Sequence, residues 1–150
     1  MKILGVIPAR YASTRFPAKA LADIGGKPMV QRVYEQASKS AFLDKVVIAT
    51  DHKTIVEVVH SFDGNVCMTS EHHQSGTDRC NEVAENEPGF DYVINIQGDE
   101  PFINPQQIDA LAKLLDGITQ LATLVKRIDD SDEIFDSNVV KCVFETNDNA

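Results

Sequence analysis

Residues 1–20 carry Lys2, Arg10, Arg15 and Lys19 and not one acid, in a 150-residue chain whose formal net charge is −9. Three of these cations share one stretch, Pro8-Ala9-Arg10-Tyr11-Ala12-Ser13-Thr14-Arg15-Phe16-Pro17-Ala18-Lys19, at separations of five and four residues. Arginine binds phosphate oxygens as a planar fork and lysine as a point charge, so the stretch has the donors to surround a triphosphate. Pro8 and Pro17 restrict its conformations and lower the entropy lost on binding. A solvated basic loop is the plainer alternative. The lack of any neighbouring acid to pair with these groups disfavours it.

A second candidate is Gln97-Gly98-Asp99-Glu100-Pro101. A carboxylate leaving a buried strand suits Mg²⁺, which takes one or two carboxylates and completes its shell with water and substrate phosphates. Gly98 leaves room for close approach of ligand or metal. The competing reading makes Asp99 a turn residue that satisfies backbone donors. A third candidate, Ser75-Gly76-Thr77-Asp78-Arg79, has the spacing of a capping box. Gly76 and Thr77 would also offer backbone amides at a helix N-terminus, and Arg79, one turn in, could hold a carboxylate. Asp51 reads as a helix N-cap. Two familiar phosphate motifs are missing. No GxGxxG follows the first apolar run, and Gly26-Lys27 is followed by Pro28, with Leu21 where a P-loop needs its first glycine. Lys27 is thus expected to be a turn residue.

Positioning these groups falls to alternating apolar runs and amphipathic stretches. Lys2–Pro8, Lys45–Thr50, Asn65–Thr69 and Tyr92–Gln97 read as strands, with later candidates at Leu121–Val125 and Val139–Phe144 on either side of the acidic stretch Asp129–Asp136. Helices are expected from Pro28 through Ala37, across Ile55–Phe62, over Thr77–Glu87 until Pro88-Gly89 stops it, and from Pro105 through Leu115. The alternation implies an α/β fold, a Rossmann-like and mostly parallel sheet with helices on both faces, in a single domain spanning 1–150. Ligands of such sheets bind beyond the carboxyl ends of the strands. That selects Ala9–Ala20, Asp51–Thr54, Ser70–Gly76 and Gly98–Asn104.

Composition narrows the classes further. With 43% hydrophobic and 25% charged residues the chain is ordinary globular material. Its acidity argues against general nucleic-acid or anionic-membrane binding, and no apolar run reaches the roughly 20 residues that span a bilayer. The N-terminal apolar run is too short for a signal peptide, so the cytoplasm is the expected compartment. Cys67, Cys80 and Cys142 lack metal-ligand spacing and are expected to be buried reduced thiols. The four histidines form no zinc motif.

Taken together, Ile7 to Lys19, Ala49-Thr50-Asp51, His73-Gln74-Ser75-Gly76-Thr77-Asp78-Arg79 and Asn95-Ile96-Gln97-Gly98-Asp99-Glu100-Pro101 closely resemble the 3-deoxy-manno-octulosonate cytidylyltransferases, the CMP-Kdo synthetases of Gram-negative bacteria. The motifs run in the family's order almost to the end of the chain. The resemblance implies the nucleotide-diphospho-sugar transferase fold and transfer of CMP from CTP to the acidic sugar Kdo, releasing pyrophosphate, for lipopolysaccharide synthesis. It implies that Arg10, Ser13, Arg15 and Lys19 handle the CTP phosphates and that Ser75, Gly76 and Arg79 lie near nucleotide and sugar. Gln97 would stand on the sugar side and Asp99 would be a Mg²⁺ ligand. Members of the family continue well past this length, into a part that supplies a second metal aspartate, further Kdo contacts and much of a homodimer interface. A truncated form that binds nucleotide weakly and turns over little substrate is therefore expected. The alternatives are a relative that activates sialic acid or 8-amino-Kdo, and a non-catalytic nucleotide-binding or assembly module. A flavodoxin-like receiver domain fits poorly, because such domains gather acids after the first strand.

Overall fold

The computed structural model describes residues 1–12 and 16–143. Four strands, β1 (Ile3–Ala9), β2 (Lys45–Thr50), β3 (Val66–Met68) and β4 (Tyr92–Asn95), pair in parallel in the order β3-β2-β1-β4. Strand register places Val6 between Val47 and Asn95. Helices α1 (Met29–Ala37), α2 (Lys53–His60) and α3 (Gly76–Asn86) fill the connections, and α4 (Pro105–Ala112) follows β4.

The two-residue period of β1 and β2 sorts their side chains onto opposite faces. Ile3, Ile7, Val46 and Ile48 point to one face, where they meet Val30, Val33 and Ala37 of α1, Ile55 and Val59 of α2, and Ile108 and Ala112 of α4. Leu4, Val6, Val47 and Ala49 point to the other and meet Cys80 and Val83 of α3. Both faces of the sheet are thus covered, as the unbroken apolar runs require. Among the described residues no helix is long and apolar enough to cross a membrane.

After β1 the chain steps outward through β2 to β3, then crosses back to lay β4 on the other side of β1. The connection from β1 thus runs to one side and the crossover from β3 lays β4 on the other, so the winding reverses beside β1 and a crevice opens between the carboxyl ends of β1 and β4.

Several expectations need correction. Leu121–Val125 and the described part of Val139–Phe144 form no strands; Phe144 itself lies outside the described residues. β propensity makes a strand only when a neighbour supplies the ladder and a surface to pack on. Here Leu121 is 91% exposed and Val140 94%. The acidic stretch instead holds a short helix, α5 (Ser131–Phe135), begun by Asp130, whose carboxylate accepts from the Asp132 amide at 2.9 Å. Asp51 is not an N-cap. His52 caps α2, its Nδ1 accepting from the Thr54 amide at 3.3 Å. Of the three thiols only Cys80 is buried, and burial pushes its pKa up to about 11. Cys67 is half-buried and Cys142 exposed. Lys27 is a turn residue as expected. It follows Gly25 and Gly26, both at positive φ, and its Nζ donates to Glu35 at 2.6 Å.

Candidate active site

At the crevice beside β1 lies an open cleft of about 400 Å³, lined by Pro8, Ala9, Arg10, Ala12, Lys19, Ala20, Gly76, Gln97, Gly98 and Asp99. Three separate stretches of chain build it. Arg10 leaves the end of β1, and Lys19 opens a single 3₁₀ turn, Lys19–Leu21. Gln97, Gly98 and Asp99 follow β4, whose line is extended by the Ile96 amide donating to the Val6 carbonyl at 2.8 Å. Gly76 is the first residue of α3, so the positive end of that helix dipole meets the same cleft.

Lys19 and Asp99, eighty residues apart in sequence, are in contact, with Nζ donating to Oδ2 at 2.7 Å. Both side chains keep about half of their surface. An exposed pair of this kind adds little to stability, in general about 0–1 kcal/mol. Its significance is therefore one of placement: a cation and a carboxylate, each open to solvent, share one rim of the cleft.

Gly98 makes a close approach, though to protein rather than to ligand. A Cβ built on it would stand 2.6 Å from the Pro8 carbonyl oxygen, so no other residue fits without shifting the backbone of β1. A Cβ built on Gly76 would likewise stand 3.3 Å from the Pro8 ring. The loops bearing Asp99 and the α3 amides are thereby seated on the strand end that bears Arg10.

The capping box at α3 is present in both directions. Ser75 Oγ accepts from the Asp78 amide at 3.1 Å, and Asp78 Oδ2 accepts from the Ser75 amide at 3.0 Å and from the Ser75 hydroxyl at 2.8 Å. That hydroxyl, followed by the amide, holds the Asp78 carboxyl below the usual aspartate range. A depressed folded-state value gives a contribution present above the unfolded pKa and lost as pH falls through the folded one. Ser75→Ala should cost about 1 kcal/mol. Asp78→Ala should lower the melting temperature at neutral pH, with the two melting curves converging below the ordinary aspartate range. A difference that persisted in strong acid would show that Asp78 acts through packing instead.

Arg79 is not brought to the cleft. It is fully buried, and the carboxylate it holds is Asp51, with Nη2 donating to Oδ2 at 2.7 Å. Its Nη1 donates to Thr69 Oγ1, and Thr69 in turn donates from its amide and hydroxyl to the Thr50 carbonyl at 2.8 and 3.1 Å. This network ties the ends of β2 and β3 to the first turn of α3. Sequence reasoning missed the pairing because its partners lie on three elements, and no local spacing announces it. It missed Ala12 and Ala20 as well, small residues that line the cleft without chemical signal. Ser13 and Arg15 lie outside the described residues. Ser75 flanks the cleft through its neighbour Gly76.

The donor set can be tested for fit to a divalent cation. Among the described residues no three His, Cys, Asp or Glu side chains are grouped to hold a metal. Among the described residues that line the cleft, Asp99 alone carries a carboxylate, and it is exposed. One carboxylate opposite two cations suits a Mg²⁺ that arrives largely on substrate phosphates, not a resident cage.

The cytidylyltransferase family profile matches residues 4–150. A 3-deoxy-manno-octulosonate cytidylyltransferase of Parabacteroides distasonis is 53% identical over 156 aligned positions, covering 100% of this chain and 61% of that protein. The Phocaeicola vulgatus protein of the same name is 58% identical over 128 positions, 84% of this chain and 50% of its own length. The chain thus spans about half to three fifths of the length of these relatives. Among solved structures, CMP:2-keto-3-deoxy-manno-octonic acid synthetase complexed with CTP superposes with a TM-score of 0.74 at 45% identity, over 77% of this chain and 47% of that one.

Proposed function

The chain belongs to the cytidylyltransferase family, and from that footing we propose that it is the CTP-binding part of an enzyme that transfers CMP from CTP to 3-deoxy-manno-octulosonate, releasing pyrophosphate. The names of its relatives and the CTP complex of its structural neighbour support this substrate pair. One observation carries the reading: Arg10, Lys19 and Asp99 converge on a single cleft at the crevice between β1 and β4.

The residues divide the work by charge. Arg10 and Lys19 take the phosphate oxygens and offset the charge that grows on the departing pyrophosphate. Gly76 presents α3's N-terminal amides to the anion. The family resemblance assigns Ser13 and Arg15, which fall between Arg10 and Lys19 in sequence, to the phosphates as well. Asp99 would hold Mg²⁺, which would supply Lewis-acid stabilisation of the phosphates. Gln97 lines the same cleft, which supports assigning it to the sugar. The anomeric hydroxyl of Kdo attacks the α-phosphorus, a bond forms from that oxygen, the bond from the α-phosphorus to the oxygen bridging it to the β-phosphate breaks, and the hydroxyl proton leaves with the pyrophosphate. Positioning and electrostatics account for most of such a reaction.

The test is to incubate the chain with CTP, Mg²⁺ and Kdo, or sialic acid or 8-amino-Kdo, and to follow pyrophosphate and the CMP-sugar. CMP-Kdo formed in preference to the others supports the proposal. Magnesium-dependent CTP binding without transfer to any sugar restricts this chain to the binding half. Absence of CTP binding refutes the reading.

A further inference from the structure

The loop that carries the cations is closed at its neck. Ala18 N donates to the Tyr11 carbonyl at 2.9 Å, and Leu21 N donates to the Ala18 carbonyl at 2.8 Å. Ala18 holds φ at +54°, a left-handed conformation that an alanine keeps only where its surroundings fix it. Arg10 and Lys19 flank this neck directly, one residue before Tyr11 and one after Ala18. Whatever holds the Tyr11–Ala18 neck therefore sets where both cations stand in the cleft.

The neck rests on a ring. The Tyr11 ring stacks on the His52 imidazole with centroids 3.8 Å apart and planes inclined by 13°. His52 is itself fixed, because its Nδ1 caps α2 through the Thr54 amide and its own amide donates to Thr50 Oγ1 at 3.3 Å. Thr50 ends β2 and is fully buried. A chain of contacts thus runs from the rigid sheet through His52 to Tyr11 and to the two cations.

We propose that His52 is a positioning residue for the phosphate loop, acting through its stack on Tyr11, in addition to capping α2. This rests on the reading of the cleft as a nucleotide site, and it assigns a role in that site to a residue that never touches the cleft. The two duties of His52 are separable by chemistry. Asparagine is a good N-cap but has no ring. Phenylalanine keeps the ring and loses the cap.

The experiment compares His52→Asn and His52→Phe with the unaltered chain in three measurements: thermal melting, MgCTP affinity, and the rate of tryptic cleavage at the Arg15–Phe16 bond without nucleotide. His52→Asn should melt close to the parent, cleave several-fold faster in the loop, and bind MgCTP about tenfold more weakly, the scale of a lost aromatic pair. His52→Phe should melt lower while keeping cleavage rate and affinity near those of the parent. The reverse pattern, or a His52→Asn chain indistinguishable from the parent in both cleavage and affinity, overturns the proposal. Cleavage needs no nucleotide, so a parent that fails to bind CTP refutes the functional reading while the anchoring role is still decided by the loop.

Discussion

Asp51→Asn is expected to lower the stability of the chain by about 3–5 kcal/mol, the usual cost of breaking a buried ion pair from one side. Arg79 has no exposed surface, and its Nε has no hydrogen-bond partner. Neutralising Asp51 leaves a buried guanidinium with only neutral oxygens, the substituted side chain's amide oxygen and the Thr69 hydroxyl, and no counter-charge among its described side-chain partners. In a chain of this size that loss lowers the melting temperature by roughly 10 °C. The double variant Asp51→Asn/Arg79→Met should recover much of it, because removing both charges removes the uncompensated one. Urea unfolding of the two single variants and the double variant measures the coupling directly. Additive losses, or a loss from Asp51→Asn below about 0.5 kcal/mol, in the range of an ordinary surface change, would mean that the pair is solvated and structurally idle. A stability loss with unaltered CTP affinity per folded molecule would also place Arg79 among the supports of the site and outside its ligand shell.

Asp99→Asn should abolish the dependence of CTP affinity on magnesium. Two effects oppose one another. Without metal, removing a carboxylate from beside the triphosphate and freeing Lys19 from its 2.7 Å contact strengthens CTP binding. With metal, the variant lacks the cleft's exposed carboxylate ligand, so adding Mg²⁺ brings no gain. Calorimetric titration with and without Mg²⁺ should therefore show a clear difference for the parent and almost none for the variant. Where transfer to Kdo is measurable, it should fall by about a hundredfold or more, the scale set by loss of one transition-state electrostatic contact. An Asp99→Asn chain that kept the parent's magnesium response would remove Asp99 from the metal and favour a nucleotide-binding module without catalysis.

The sequence disclosed the parts of this architecture that repeat locally. The β-branched runs of β1 and β2, the proline at the start of α4 and the capping box of α3 each carry their own signature, and each forms where its pattern stands. The cleft was legible for a different reason: in a parallel sheet functional groups collect at strand ends, so the loops after β1 and β4 pointed to one another once the strand order was known. Leu121–Val125 misled because its apolar pattern says nothing of whether a neighbouring strand exists to pair with it. Arg79 was legible in part. Its place one turn into a helix suggested a hold on a carboxylate, and it has one, but the acid is Asp51 at the end of β2, which no local spacing announces. Tyr11 and His52, forty-one positions apart by their numbers, carried no warning of their stack. Contacts of that kind are fixed only when the sheet brings separate loops together.

The most direct test of the account is a crystal of the chain grown with CTP and Mn²⁺ in place of Mg²⁺, with data collected for anomalous scattering from the manganese. The account predicts one anomalous peak within coordination distance of an Asp99 carboxylate oxygen, with the triphosphate running from that metal to Arg10 and Lys19. A triphosphate lodged away from the loop after β1, or a manganese peak far from Asp99, would contradict it.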